Sequence, residues 1–190
     1  MKKRILSGLL LLALLSSCAG GVRRQPDGTD SGTDASGQEA PSSEEESSAA
    51  AFTGTDLEGN AVASDIIFSR SKLTMVNVWA TYCGPCLEEM PGLGELAAEY
   101  DAREFQIVGI VSDVKEGEDQ ALVESLVRET GANYLHLLRS DSIEHAILGG
   151  VSAVPTTFFF NQEGKFLGGL VGSGEKSAWE EIIRGLLEEL

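Results

Sequence analysis

The sequence predicts an α/β domain with a mixed central sheet covered by helices and an N-terminal hairpin. Three observations predict it. Buried-strand and helical periodicities alternate from Leu73 to Val111. Two later apolar runs, Thr156 to Phe160 and Phe166 to Val171, are separated only by Asn161-Gln162-Glu163-Gly164-Lys165, a turn compatible with antiparallel pairing alone. An amphipathic helix then closes the chain, with Trp179, Ile182, Ile183, Leu186, Leu187 and Leu190 on one stripe.

The elements follow in order. Phe52 to Val62 carries the turn-rich Asp56-Leu57-Glu58-Gly59-Asn60 between short extended pieces and reads as a hairpin. Leu73 to Ala80 (LTMVNVWA) is a buried-type strand. Leu87, Met90, Leu93, Ala97 and Tyr100 then share a helical face, and Phe105 to Val111 (FQIVGIV) is again a strand. Strand, helix, strand implies a parallel pair joined by a right-handed crossover. A helix near 118–130 places Ala121, Leu122, Ser125, Leu126 and Glu129 at three-four spacing and stops at Gly131. Tyr134 to Leu138 is a short strand, and Asp141 to Leu148 a short helix closed by Gly149-Gly150. Ser177 and Glu180 form a capping box for the last helix.

Composition narrows the function. The 190 residues carry 14 Lys plus Arg against 30 Asp plus Glu, a net charge of -16. Such a charge repels phosphate, and no basic cluster follows the first four residues, so nucleic acid is not an expected partner. Three cysteines are too few for a disulfide-stapled scaffold, and each needs its own explanation.

The N-terminus explains one of them. Met-Lys-Lys-Arg precedes an apolar run from Ile5 to Leu15 that is too short to span a bilayer, which needs about 20 residues. Residues 1–17 therefore read as an export signal. Its exit, Leu15-Ser16-Ser17-Cys18, resembles the bacterial lipobox, which implies lipidation of Cys18 and attachment to a membrane. The alternative is an ordinary secreted protein cut near Ala19. Residues 19–51 hold six Ser, six Ala, five Gly and seven acidic residues with no aromatic, so 18–51 is expected to be a lipidated cysteine followed by a disordered tether. Residues 52–190 form the folded domain, expected to be a monomer.

Cys83-Gly84-Pro85-Cys86 sits where the first strong strand hands over to a helix. Two cysteines three apart can be bridged across one turn, and the first faces unpaired amides and the positive dipole end, a field that stabilises its thiolate. Cys83 is the expected nucleophile and Cys86 the resolving thiol. Pro85 suits the first helical turn because its missing amide has no partner there. Half a zinc site or an inert staple is the alternative. Zinc needs about four ligands, and only His136 and His145, nine residues apart, are on offer. Copper delivery by two cysteines and a distant histidine would call for three intervening residues rather than two. No metal and no cofactor beyond the Cys83/Cys86 disulfide is expected.

The segment WATYCGPCLEEMP at 79–91, with Val154-Pro155-Thr156-Thr157-Phe158 about 70 residues on and Pro91 inside the first helix, resembles the thioredoxin fold, and within it the membrane-tethered thiol-disulfide oxidoreductases of the TlpA/ResA type. The resemblance spans roughly 52–190, with the helix and strand near 116–138 as the group's central insertion. It implies a three-layer fold and a cis Pro155 that sets the Val154 backbone beside the disulfide, where an extended client strand can pair. The alternative is a trans proline beginning an edge strand. It also implies that Glu89, one turn beyond Cys86, is a buried acid able to move a proton; otherwise Glu89, like Glu88, is a solvated charge. Trp79, Tyr82, Gly84, Pro85, Val154 and Pro155 are the expected client-binding residues.

Two departures matter. Plain thioredoxin carries Asp where this chain has Asn77, so proton relay falls to Glu89 or water, and Tyr82 replaces the usual Trp before the first cysteine. The resemblance implies a disulfide reductase acting outside the membrane on protein disulfides, such as haem-binding cysteines of apocytochrome c or an oxidised repair enzyme. Its electrons would come from a CcdA/DsbD-type membrane donor, since the chain has no nucleotide or flavin fingerprint. A thiol peroxidase is the first alternative, although Ala80 stands where the peroxiredoxin pattern Pro-x-x-x-Thr-x-x-Cys has Thr, with no matching Pro upstream. A non-catalytic peptide- or metal-binding module is the second.

Overall fold

Strand β3 (Leu73–Trp79) organises the molecule, because all seven of its residues are buried and strands pair with both of its edges. The computed structural model describes residues 50–190; the signal, Cys18 and nearly all of the tether lie outside the described residues. Ala50 already belongs to the folded part, its amide donating to the Gly164 carbonyl at 3.2 Å.

The order is β1 (Thr53–Thr55), β2 (Ala61–Ala63), α1 (Ser64–Phe68), β3, α2 (Gly84–Glu99), β4 (Phe105–Lys115), α3 (Ala121–Thr130), β5 (Leu135–Arg139), α4 (Asp141–Ala146), a 3-10 turn at Leu148–Gly150, β6 (Thr156–Asn161), β7 (Phe166–Val171) and α5 (Lys176–Glu189). The five-stranded sheet runs β5-β4-β3-β6-β7. β3, β4 and β5 are parallel, whereas β6 and β7 are antiparallel, as the five-residue turn requires. β1 and β2 form the separate N-terminal hairpin.

Because successive strand side chains point to opposite faces, β3 feeds two cores. Val76 and Val78 pack with Phe68 of α1 and Ile143 of α4 on one face. Leu73 and Met75 meet Leu93 and Leu96 of α2 and Ile183 of α5 on the other. Asn77 and Trp79 share the α2 face by the same alternation. Burying each large aliphatic side chain contributes about 1.5–3 kcal/mol. Helix α2 also lies close against the start of the α3–β5 connection: a Cβ at Gly94 would fall 2.3 Å from the Gly131 carbonyl oxygen, so only glycine permits this approach.

Four details depart from the sequence reading. Helix α1 was not anticipated. Strand β4 runs four residues past Val111, with a register shift against β5 between Val111 and Lys115. The buried face of α3 is Val123 with half-buried Leu126 and Val127, while Leu122 faces solvent. Helix α5 has no capping box: Glu175 is its N-cap, without a side-chain bond, and Ser177 already lies within the first turn.

Candidate active site

The chain leaves β3 at Trp79 and must turn before α2 begins at Gly84, and polar contacts hold that turn. Thr81 donates its backbone N–H and its hydroxyl to the Asp113 carboxylate, at 3.1 and 2.5 Å. Ser112 donates its hydroxyl to the Trp79 carbonyl at 2.9 Å. Ser112 and Asp113 lie on the unanticipated end of β4, which is why sequence periodicity missed them. Cys83 is thereby set at the N-cap of α2, and the Cys86 N–H donates to its sulfur at 3.2 Å.

Cys83 and Cys86 are joined in a disulfide. Both are largely covered, but Cys83 keeps 6% exposure against none for Cys86, so Cys83 is the more accessible residue of the pair. Once the bond is reduced, the amide and dipole at this helix end favour a Cys83 thiolate.

The Val154-Pro155 bond is cis, and Val154 packs against the cluster that contains both cysteines. Tyr82 is 77% exposed. With Arg139, Glu144, Val151 and Val154 it lines an open cavity of about 290 Å³ beside the disulfide. Gly84 and Pro85 are exposed at the mouth of α2.

Trp79 does not belong with them. Its side chain is fully buried, and its indole N–H donates to Nδ1 of His136 at 3.3 Å. It supports the active-site turn from within and offers a client no surface. His136 is committed at both ring nitrogens, since Nε2 also bonds the Ala132 carbonyl at 2.9 Å. It cannot serve as a ligand without breaking that pair. His145 lies on exposed α4, and no group of three or more His, Cys, Asp or Glu able to hold a metal occurs among the described residues.

The two neighbouring glutamates separate cleanly. Glu88 faces solvent, whereas Glu89 is 6% exposed on the same helix face as Cys86. Burial pushes the Glu89 carboxyl above the ordinary carboxylate range, and its hydrogen bonds from Gly174, Asn77 and Trp179 oppose that rise. A buried acid one helical turn from the resolving thiol suits the proton transfer expected of Glu89. Gly174 and Trp179 lie 85 and 90 residues away in the chain, so no local pattern announces them.

Comparison with known proteins agrees with this chemistry. The profile of the AhpC/TSA family matches residues 46–166. The thiol-disulfide oxidoreductase ResA of Bacillus thuringiensis (strain Al Hakam) is 27% identical over 185 residues, covering 96% of both chains. ResA of Geobacillus kaustophilus (strain HTA426) is 32% identical over 141 residues, 74% of this chain and 75% of its own. The thioredoxin domain of a thiol-disulfide oxidoreductase from Bacteroides vulgatus superposes with a TM-score of 0.58 at 21% identity, over 72% of this chain and 96% of that one, which establishes the thioredoxin-like fold. With a disulfide-linked Cys83 and Cys86 at the start of α2, the chain belongs to the AhpC/TSA thioredoxin-like family as a ResA-like thiol-disulfide oxidoreductase.

Proposed function

We propose that the protein is a membrane-tethered, extracytoplasmic reductase of protein disulfides. The observation that carries the chemistry is the asymmetry of the disulfide, with Cys83 capping α2 and keeping 6% exposure and Cys86 sealed one turn below. In the reduced enzyme the Cys83 thiolate attacks a client disulfide, forming a mixed disulfide and releasing one client thiolate. Cys86 then attacks the Cys83 sulfur, closing the Cys83–Cys86 bond and releasing the second client thiolate. Two electrons pass from the dithiol to the client. Gly84-Pro85 between the cysteines, a spacer shared with reducing thioredoxins, supports this direction.

The tether rests on Leu15-Ser16-Ser17-Cys18, whose lipidation would hold the domain at the outer side of the membrane. In that position the clients are exported proteins with oxidised cysteine pairs, haem-binding cysteines of apocytochrome c or an oxidised repair enzyme among them. A CcdA/DsbD-type membrane protein would return the electrons.

Reduction of insulin with dithiothreitol tests the activity, and metabolic labelling with a fatty acid in the wild type and Cys18→Ser tests the tether. Turnover abolished by Cys83→Ser, with label lost in Cys18→Ser, is the expected result. Peroxide consumption exceeding insulin reduction would favour the thiol peroxidase, a reading the shared fold keeps in view but Ala80 disfavours. No turnover with either substrate would leave a binding module.

A further inference from the structure

Glu89 of α2 lies against β3, the loop after β7 and α5. Its Oε1 accepts from Asn77 Nδ2 of β3 at 3.0 Å. Its Oε2 accepts from the Gly174 N–H at 3.0 Å and from the Trp179 indole N–H on α5 at 3.3 Å. All three partners are donors, so this shell suits a carboxylate and offers no acceptor to a carboxyl proton. Asn77 alone can change that. Its Oδ1 is buried without a partner among the described residues, and its Nδ2 also donates to the Thr157 hydroxyl at 3.1 Å. A half-turn of the amide would present Oδ1 to a protonated Glu89, and the Thr157 hydroxyl can donate as readily as it accepts.

The charged surroundings are few. Glu88 and Glu95 of α2, Glu175 and Lys176 line, with Glu89, a polar cleft of about 310 Å³. The Lys176 ammonium is tied to Glu95 and Glu99 at 2.8 and 2.6 Å rather than to Glu89. The remaining titratable neighbour is the buried Tyr134 phenol, whose ionisation burial and the Glu89 charge both oppose. The cleft shares no lining residue with the cavity beside Tyr82 and Val154, and Pro85 stands at its edge toward the disulfide.

We propose that Asn77 and Trp179 are positioning residues of the exchange reaction: together with the Gly174 amide they hold Glu89 as the carboxylate that takes the Cys86 proton. This deepens the reductase reading and rests on it. In the resolving step the Cys86 S–H proton passes to Glu89. The freed electron pair forms the Cys86–Cys83 bond, the Cys83–client S–S bond breaks, and the client departs as a thiolate. Glu89 then loses its proton to solvent through the cleft.

The test begins with the unaltered protein, whose two tryptophans give two indole N–H signals in a nitrogen-proton correlation spectrum. The Trp179 signal should titrate with the midpoint that governs release of client thiol, and should stop doing so in Glu89→Gln. Trp179→Phe and Asn77→Leu each remove one N–H from the carboxylate. Each should move the midpoint of resolution upward by about one pH unit, the size expected for losing a hydrogen bond to a charged group. In Glu89→Gln neither should move it further. A Trp179 signal flat across the range, or midpoints unchanged in folded variants, or shifts persisting in Glu89→Gln, would each overturn the proposal. Failure of the wild type to reduce insulin is the separate result that would remove the parent reading.

Discussion

The Trp79 indole N–H meets the Nδ1 of His136 at 3.3 Å, and that contact decides the state of a buried histidine. Nδ1 accepts, so Nε2 carries the proton and donates to the Ala132 carbonyl. A second proton on Nδ1 would point at another donor. Burial adds to this and lowers the His136 pKa to about 4.

The histidine therefore ties stability to pH. Between its ordinary value of 6.5 and about 4 the unfolded chain binds a proton that the folded protein refuses. Its contribution is complete above pH 6.5, declines as pH falls through that window, and changes no further below it. At 1.36 kcal/mol per pH unit the whole loss is about 3 kcal/mol. Glu89 acts in the opposite sense, because its raised pKa lets the folded state keep a proton that the unfolded chain has released. Urea unfolding at pH 7.0 and 4.5 should show the His136 decline in the wild type and a flatter response in His136→Gln, which keeps an acceptor for Trp79. Equal responses would remove His136 as the source.

The same ring explains a glycine in the sheet. A Cβ on Gly109 would lie 2.2 Å from His136 Nδ1, the atom that receives the Trp79 bond. Gly109→Ala should cost about 1–3 kcal/mol through overpacking. It should also slow disulfide exchange, since Trp79 leads directly into the turn before Cys83. Gly185→Ala, in open space on α5, should instead stabilise by about 0.8–1.0 kcal/mol through helix propensity. Denaturant midpoints measured side by side check both.

What the sequence disclosed here depended on how local each cause was. β3, α2 and β4 were legible because seven buried strand residues and a three-four apolar face are periodic within single elements. The five residues of α1 are too few to establish a period, and Ile67 and Phe68 suit a strand as well as a helix. Ser177 and Glu180 have capping-box spacing, but α5 already begins at Lys176, so that spacing falls inside the helix. Cys83, Cys86 and the Val154-Pro155 pair were readable from short motifs. The burial of Trp79 was not legible, because its place in the motif says nothing about which way its side chain turns. The partners of Glu89 were invisible for a stronger reason: Trp179 was assigned to a buried stripe correctly, yet which polar atom its N–H would meet is a property of how α5 packs beside β3 and α2.

The unequal cover of the two sulfurs leads to a trapping prediction. Cys83 retains some exposure and Cys86 none, so a client disulfide should meet Cys83 first. Cys86→Ser should accumulate a mixed disulfide on Cys83, detectable by mass spectrometry of the peptide containing residues 79–91 after exposure to oxidised insulin. Cys83→Ser should accumulate far less. An adduct recovered chiefly on Cys86 would reverse the assigned roles.

Tyr82 provides the sharpest separation of docking from chemistry. At 77% exposure its side chain contributes little to the core, so Tyr82→Ala should change stability by no more than about 0.5 kcal/mol. A protein client entering the cavity between Tyr82 and Val154 would nevertheless cover that ring, and buried aromatics dominate many interfaces. The expected result is a rise of about tenfold in KM for a protein disulfide, equivalent to about 1.4 kcal/mol, with kcat unchanged. A small-molecule disulfide too short to reach Tyr82 should be reduced at the wild-type rate, and Tyr82→Trp should restore the protein client's KM. Equal losses with both substrates would instead place Tyr82 in the exchange chemistry, because only a group acting on the sulfurs themselves would affect a substrate that never touches the ring.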